Sequence, residues 1–478
     1  MGLFHLGKQK PKKHDPLFYS MRYAEHLSHA FTTLPKQRAL LLKAVKLYNE
    51  DGTPKAASIL SRLLPQCVTP EDHTAVLLFL ALCMEEMGDQ EGAIHAYRVL
   101  LNYDGMNSTA LSNLGMLYKR QGAYDLAAQH YQMAAISDPK NAYPLNNLAS
   151  IYAECCQYMT AVTYGKLALS VKPELYQAAA AVAISYAGLG DEESARHYAQ
   201  YAVSKGQDGE KLEQAMENRR KVPFHLPDAP PELDRAVIQW CEKTALPSSM
   251  LAITHNARTK SRVGGPSLGP APLDSRGKPM RLLCALFCRE LVWLPDFPHE
   301  GLLRFYIADD ERMGADFSNP TVQRDFRVLY DETFDHLTPG PEPEESDTFP
   351  VKGCYPVVCN VARDQAMPMN HYRFPLEFNS HLKALGVATP TLEQWSALEE
   401  ALGFPSHRAG GYPCLNGQDI RARPEYGKYD TLLLQLLNMD DPDIHIHIKT
   451  GGVINFCIPK EKLLARDFSD VLYWWDSE

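Results

Sequence analysis

The chain carries no CxxC pair, no Walker A loop, no GxGxxG and no HExxH anywhere in its 478 residues. Those absences remove the commonest phosphate cradle, the dinucleotide turn and the helical zinc-protease pair from the readings to be weighed. A long apolar run is missing too. The longest, Ala75 to Met84, falls well short of the roughly 18 residues that a membrane helix needs. There is no basic surplus: 48 Lys and Arg stand against 58 Asp and Glu, for a net charge of −10. Nucleic-acid binding usually rests on a basic face, so neither nucleic acid nor membrane is expected as a partner.

The 11 cysteines are scattered. Cys155 and Cys156 are adjacent, Cys284 and Cys288 lie four apart, and Cys354 and Cys359 five apart. None of these spacings is that of a zinc site. Settings such as Leu82-Cys83-Met84 and Phe456-Cys457-Ile458 suit free thiols acting as small hydrophobes in a reducing, cytoplasmic protein. At the N-terminus, Lys8, Lys10, Lys12 and Lys13 read as a solvated tail, because no signal-length apolar segment follows them. Gly2 opens no myristoylation motif, since position 6 is Leu.

Proline is scarce in one half only. Of 34, those before residue 222 are Pro11, Pro16, Pro35, Pro54, Pro65, Pro70, Pro139, Pro144 and Pro173; the rest, and all 5 tryptophans, come later. A helix interior excludes proline, so the first half can be helical throughout and the second cannot. The expected organisation is a tail and lead-in (1–35), a degenerate capping repeat (36–73), four repeats (74–209), a terminal helix with a Pro-rich linker (210–231), and a second domain (232–478).

The repeats emerge on a 34-residue period. With Thr74, Ser108, Ala142 and Tyr176 as position 1, position 7 reads Leu80, Leu114, Leu148, Val182 and position 8 reads Ala81, Gly115, Ala149, Ala183. Position 11 reads Met84, Tyr118, Tyr152, Tyr186, and position 20 is Ala93, Ala127, Ala161, Ala195. Gly88, Gly122 and Gly190 share position 15, where a turn needs positive φ. Gly165 stands where the pattern wants an aromatic, with Tyr164 beside it as the substitute ring.

These residues resemble the tetratricopeptide repeat, which implies helical hairpins (74–107, 108–141, 142–175, 176–209) stacked into an all-α solenoid. The resemblance further implies that helix A lines a concave groove and that positions 6, 12 and 13 can face a ligand. Asn113 and Asn147 at position 6 could grip a peptide backbone through their amides. Lys119 and Arg120 at positions 12 and 13 would add a positive spot for a carboxylate. A protein or peptide partner follows; the oligomeric state stays open.

The second half contains a duplication of its own. Leu282–Leu286 is followed by Gly301-Leu-Leu-Arg-Phe-Tyr-Ile, and Leu432–Leu436 by Gly452-Val-Ile-Asn-Phe-Cys-Ile. Apolar runs of this length, opened by Gly, suit buried strands. Two related β units are expected, forming a mainly antiparallel core with helices packed against it. This α+β domain would follow the solenoid. The segments Leu294-Pro295, Asp325–Tyr330, Gly411-Tyr412-Pro413 and Ala465–Asp476 resemble the bacterial YwqG-like domain, a family that brings no established activity.

One constellation offers chemistry. In Asp440-Asp441-Pro442-Asp443-Ile444-His445-Ile446-His447, two histidines would share a strand face beside carboxylates, as a divalent metal site requires. A metal-dependent hydrolase at Asp443–His447 is one alternative, and a toxin-sequestering immunity-like protein another. The favoured expectation is a bacterial, cytoplasmic adaptor or scaffold that binds without covalent chemistry, with no catalytic residues, no cofactor and no metal.

Overall fold

A computed structural model describes residues 24–254, 259–361, 363–402, 406–417, 419–441 and 443–477. The lysine-rich tail, Gly2 and Pro442 lie outside the described residues. The chain divides into two compact units. Val222–Glu478, with the short stretches Tyr158–Thr163 and Gly188–Asp191, forms one, and the rest of the described chain the other.

The first unit opens with helices α1 (Ala24–His29), α2 (Pro35–Asn49) and α3 (Thr53–Leu63). Four hairpins follow among the described residues: α4 (Pro70–Met87) with α5 (Gln90–Tyr103), α6 (Ser108–Arg120) with α7 (Tyr124–Ser137), α8 (Ala142–Glu154) with α9 (Tyr158–Val171), and α10 (Tyr176–Leu189) with α11 (Glu192–Ser204). The tetratricopeptide solenoid expected from the sequence is present, and α12 (Gly209–Arg220) follows it. The apolar run Ala75–Cys83 is buried in α4, and no helix among the described residues is long and apolar enough to cross a membrane. Asp72 anchors the entry to the stack. Its Oδ2 accepts from Val68 N (3.1 Å) and Thr69 N (3.1 Å), and its Oδ1 from Phe31 N (2.6 Å). Burial pushes this carboxyl up, but the backbone donors outweigh it and hold it below the ordinary range.

Small residues bring the helices together. A Cβ added to Gly115 would lie 2.8 Å from the Tyr131 ring, so glycine at position 8 makes the room that Tyr131 fills. At Gly165 the space is taken instead by Val182 of the next repeat. Tyr164 therefore does not replace the absent ring. It stacks on Tyr152 at 5.4 Å, as Tyr198 does on Tyr186 at 5.8 Å. Gly88, Gly122 and Gly190 take φ of +84, +78 and +74°, and Cys156 occupies the same position in the third repeat at φ +60°.

The strands of the second unit are β1 (Leu246–Ile253), β2 (Arg262–Gly264), β3 (Arg281–Phe287), β4 (Leu302–Ile307), β5 (Phe326–Asp331), β6 (Val351–Lys352), β7 (Cys354–Cys359), β8 (Arg363–Gln365), β9 (Arg408–Gly410), β10 (Thr431–Leu437), β11 (Met439–Asp440), β12 (His445–Ile446), β13 (Val453–Ile458) and β14 (Leu472–Asp476), and most of them form one curled antiparallel sheet. Its order is β14-β13-β10-β9-β1-β7-β2-β3-β4-β5, with β8 paired to β1; β11, β12 and β6 make a separate small sheet. That order reads as two equal arms meeting at β1 and β7. The register repeats as well. Cys284 faces Phe305 after a bulge at Leu282/Cys284, and Leu434 faces Phe456 after a bulge at Leu432/Leu434. Arg262 pairs Ala285 in one arm and Arg408 pairs Gln435 in the other. The turn after each is held alike: Gly265 N donates to Gly353 O (2.9 Å) and Gly411 N to Pro247 O (2.9 Å).

The expected duplication is therefore real and wider than two strand pairs. The arms close on each other, so that Phe305 meets Phe456 with ring centroids 5.1 Å apart, both fully buried. On the outer face, separate clusters form around Leu282 and Tyr306 in one arm and Leu432 and Cys457 in the other. With both faces covered, β4 and β13 are buried at every residue, which explains why they are apolar except at Arg304 and Asn455. Helices α13 (Pro231–Thr244), α14 (Phe374–Ala384) and α15 (Leu392–Leu402) gather a further core on Trp240, which meets Phe374 and Phe378 edge-on at 5.5 and 5.2 Å.

Two measurements follow. A non-glycine residue in the left-handed region costs roughly 1–2 kcal/mol, and glycine returns part of that through the unfolded chain. Cys156→Gly should therefore stabilise the repeats by about 0.5–1 kcal/mol in urea unfolding; a loss would show that the thiol matters more than the backbone. His407 Nδ1 accepts from Leu437 N (3.2 Å), which requires the neutral ring, and burial lowers its pKa to about 4. Between about 4 and the usual 6.5 the unfolded state binds the extra proton, so this contribution is complete above pH 6.5 and lost as pH falls through that window. His407→Asn should remove about 1.4 kcal/mol per pH unit from the slope of stability against pH there. Parallel pH–stability curves for wild type and variant would contradict it.

Candidate functional site

The residues expected to line the repeat groove enter a ladder between successive repeats. Asn113 Nδ2 donates to Tyr97 Oη (2.7 Å), and Tyr97 Oη donates to Glu85 Oε1 (2.7 Å). Arg120 Nη1 stands 3.8 Å from Glu85 Oε2. One repeat on, Lys119 Nζ lies 2.9 Å from Glu154 Oε1 and donates to Ser150 Oγ at 2.9 Å. At these two junctions position 12 of one repeat pairs with position 13 of the next, with the charges exchanged; at the third the same positions are Ala153 and Gly188. Burial raises the Glu85 carboxyl even against its bond from Tyr97 and the charge of Arg120. Lys119 and Arg120 thus each face a carboxylate. Asn147 is half-buried, and its Oδ1 is 3.5 Å from Asn146 Nδ2.

The Asp443–His447 segment alternates cleanly. Ile444, Ile446 and Ile448 are buried, while Asp443, His445 and His447 are exposed. Both histidines share a face, as expected, and that face is solvated. Among the described residues no group of three or more His, Cys, Asp or Glu is placed to hold a metal ion. Gly265-Pro266-Ser267-Leu268-Gly269 has the spacing of a nucleophile elbow but not its context. Ser267 Oγ donates to Gly269 O (3.0 Å) in a loop that leads to β3, whereas the elbow needs a strand-to-helix turn. Near the C-terminus, Arg466 pairs with Glu332 (3.0 Å), and Asp467 with Lys462 (2.6 Å) and Ser469, so these signature residues fasten loops.

A cavity of about 440 Å³ opens beside Gly410 and Gly411 in the second unit. Both glycines have positive φ, +72 and +68°, and a Cβ on Gly410 would meet Pro247 O at 2.6 Å. The backbone can therefore line the cavity closely only without side chains here. Loop 367–373 supplies His371, Tyr372 and Arg373. His371 is buried, accepts from Arg373 N at Nδ1 (3.3 Å), and packs edge-on to Tyr412 at 5.1 Å. Burial, then the charges of Arg421 and Arg373, lower its pKa to about 3. The ring is a neutral acceptor in a positive field.

Arg421 is only 5% exposed and is held by Asp419 through two bonds, Nε to Oδ1 (3.0 Å) and Nη2 to Oδ2 (2.6 Å). Its guanidinium lies 5.7 Å from the Tyr372 ring centroid, and that of Arg373 lies 5.9 Å from it. Asp430 and the Lys460–Asp296 pair (2.8 Å) also belong to the lining. None of His371, Arg373 or Arg421 is conspicuous in the sequence, because loops far apart bring them together. The signal that marks the place is the repeated Arg-φ-Gly-Gly at Arg262–Gly265 and Arg408–Gly411.

Comparison with known proteins adds the following. No curated protein matches the chain. A crystal structure of MamA is 18% identical, covers 37% of this chain and 96% of its own, and has a TM-score of 0.31. A tetratricopeptide repeat protein from Parabacteroides merdae is 18% identical, covers 43% of this chain and 78% of its own, and has a TM-score of 0.35. The assignment of the repeats rests on their own 34-residue geometry. Residues 261–477, within the region resembling the YwqG-like domain, match the family described as a domain of unknown function, DUF1963.

Proposed function

We propose that the chain is an interaction adaptor whose repeat groove holds an extended segment of a protein partner. The observation that carries this reading is the pair Asn113 and Asn147, which occupy the same position on successive A helices, α6 and α8. Both are half-buried, so their amides are positioned yet reachable. An amide recognises a peptide group without regard to its side chain. Lys119 and Arg120 lie in the last turn of α6, and each already faces a carboxylate. Their neutralised charge favours a backbone contact over capture of an acidic side chain, because a carboxylate ligand would have to displace Glu154 or Glu85.

The reading assigns the binding energy to the repeats and leaves the sheet domain a separate task. It predicts that Asn147→Ala with Asn113→Ala weakens capture of the partner at least tenfold, about 1.4 kcal/mol. Asn147→Ala alone should weaken it without moving the melting temperature. Asn113→Ala should also cost about 1 kcal/mol of stability, since Tyr97 loses a donor. Affinity capture with the full chain, compared by mass spectrometry between wild type and the double variant, makes the test. Equal recovery of every partner would place the contact elsewhere.

A further inference from the structure

We infer that the cavity beside Gly410 and Gly411 binds a small hydroxylated oxyanion, its phosphate or carboxylate held between Arg373 and Arg421 and its hydroxyls reaching Asp430 and Lys460. The anion end is built rather than incidental. Arg421 is nine-tenths buried, and Asp419 engages its Nε and Nη2, which fixes the plane of the guanidinium. Among the described residues no protein acceptor is assigned to its Nη1, so a donor in a fixed orientation remains beside the cavity. Arg373 adds a half-exposed guanidinium whose nearest carboxylate is Glu377 at 3.5 Å, a pair that water weakens. Two planar forks near one ring, Tyr372, suit an oxyanion that accepts from both.

His371 fits the same ligand. It is buried and accepts at Nδ1 from Arg373 N, so the proton of the neutral ring sits on Nε2 as a further donor. Burial is the first cause of its depressed pKa, and the charges of Arg421 and Arg373 add to it; those two charges are what an anion would meet. Other polar groups of the lining have another character. Asp430 accepts from Lys460 N (3.0 Å) and Thr431 Oγ1 (3.1 Å), and Lys460 Nζ pairs with Asp296. Donors and acceptors of both signs lie within a few bonds there. Hydroxyl groups satisfy such a surface, whereas an apolar tail would strand its polar groups. A volume of about 440 Å³ is in the range of small-ligand sites.

This inference is independent of the groove reading. The test is a thermal-shift and calorimetric titration of the full chain with ribose 5-phosphate, gluconate and neutral ribose. At least one of the two anions should bind saturably with a Kd below about 1 mM, and ribose should not. The arm that binds identifies phosphate or carboxylate as the source. Arg373→Gln should weaken that binding at least tenfold, and Lys383→Gln, outside the cavity, should leave it unchanged. Should Arg373→Gln fail to melt cooperatively, Arg373→Lys keeps the charge, loses the fork, and should still weaken binding severalfold. Absence of binding by both anions, equal binding of ribose, or undiminished binding by the folded Arg373 variant would overturn the proposal.

Discussion

The contact of Phe305 with Phe456 is the constraint on which the second unit depends. Each ring is the counterpart of the other in the two arms of one sheet, so their meeting marks the pseudo-twofold relation between the arms. A residue that touches its own equivalent must lie near the axis, as in a symmetric dimer interface. From that contact the inner core spreads through Leu303, Ile307, Ile454 and Ile458. Because the arms share one core, neither can bury its apolar face alone, and the closing strand β14 adds Tyr473 against Phe456 at 4.5 Å.

Where the arms differ, polar groups enter. Position for position, Ala285 becomes Gln435 and Arg304 becomes Asn455. Gln435 accepts from the Cys414 backbone N–H, and Asn455 donates to the Cys414 carbonyl at 2.9 Å. These two amides pin the segment that leaves Gly411, and with it part of the cavity lining. In the other arm Arg304 is spent on Asp331 at 2.6 Å. Symmetry thus supplies the frame, and its local breaking supplies the site.

Much of this was legible in the sequence for physical reasons. Helix packing demands small residues at fixed intervals, so the 34-residue period survives in Ala93, Ala127, Ala161 and Ala195. The G-φ-φ-x-F-x-I runs survive because both faces of β4 and β13 are covered. Other features were not legible. The ladder joining Glu85 to Arg120 and Lys119 to Glu154 depends on the stacking of neighbouring repeats, which a groove position number does not convey. Gly165 reads as a lapse in the pattern until Val182 is found against it. The cavity draws on loops near 371, 411, 421 and 460, each ordinary alone, and only the repeated Arg-φ-Gly-Gly points toward it.

The shared core is tested most directly by a double-mutant cycle on Phe305→Leu and Phe456→Leu, measured by denaturant unfolding of the full chain. Aromatic pairs in contact couple by about 0.5–1.5 kcal/mol beyond their buried area, and distant independent sites add within about 0.3–0.5. The account predicts a coupling of about 1 kcal/mol between these residues, far apart in sequence. Strict additivity of the two losses would contradict it.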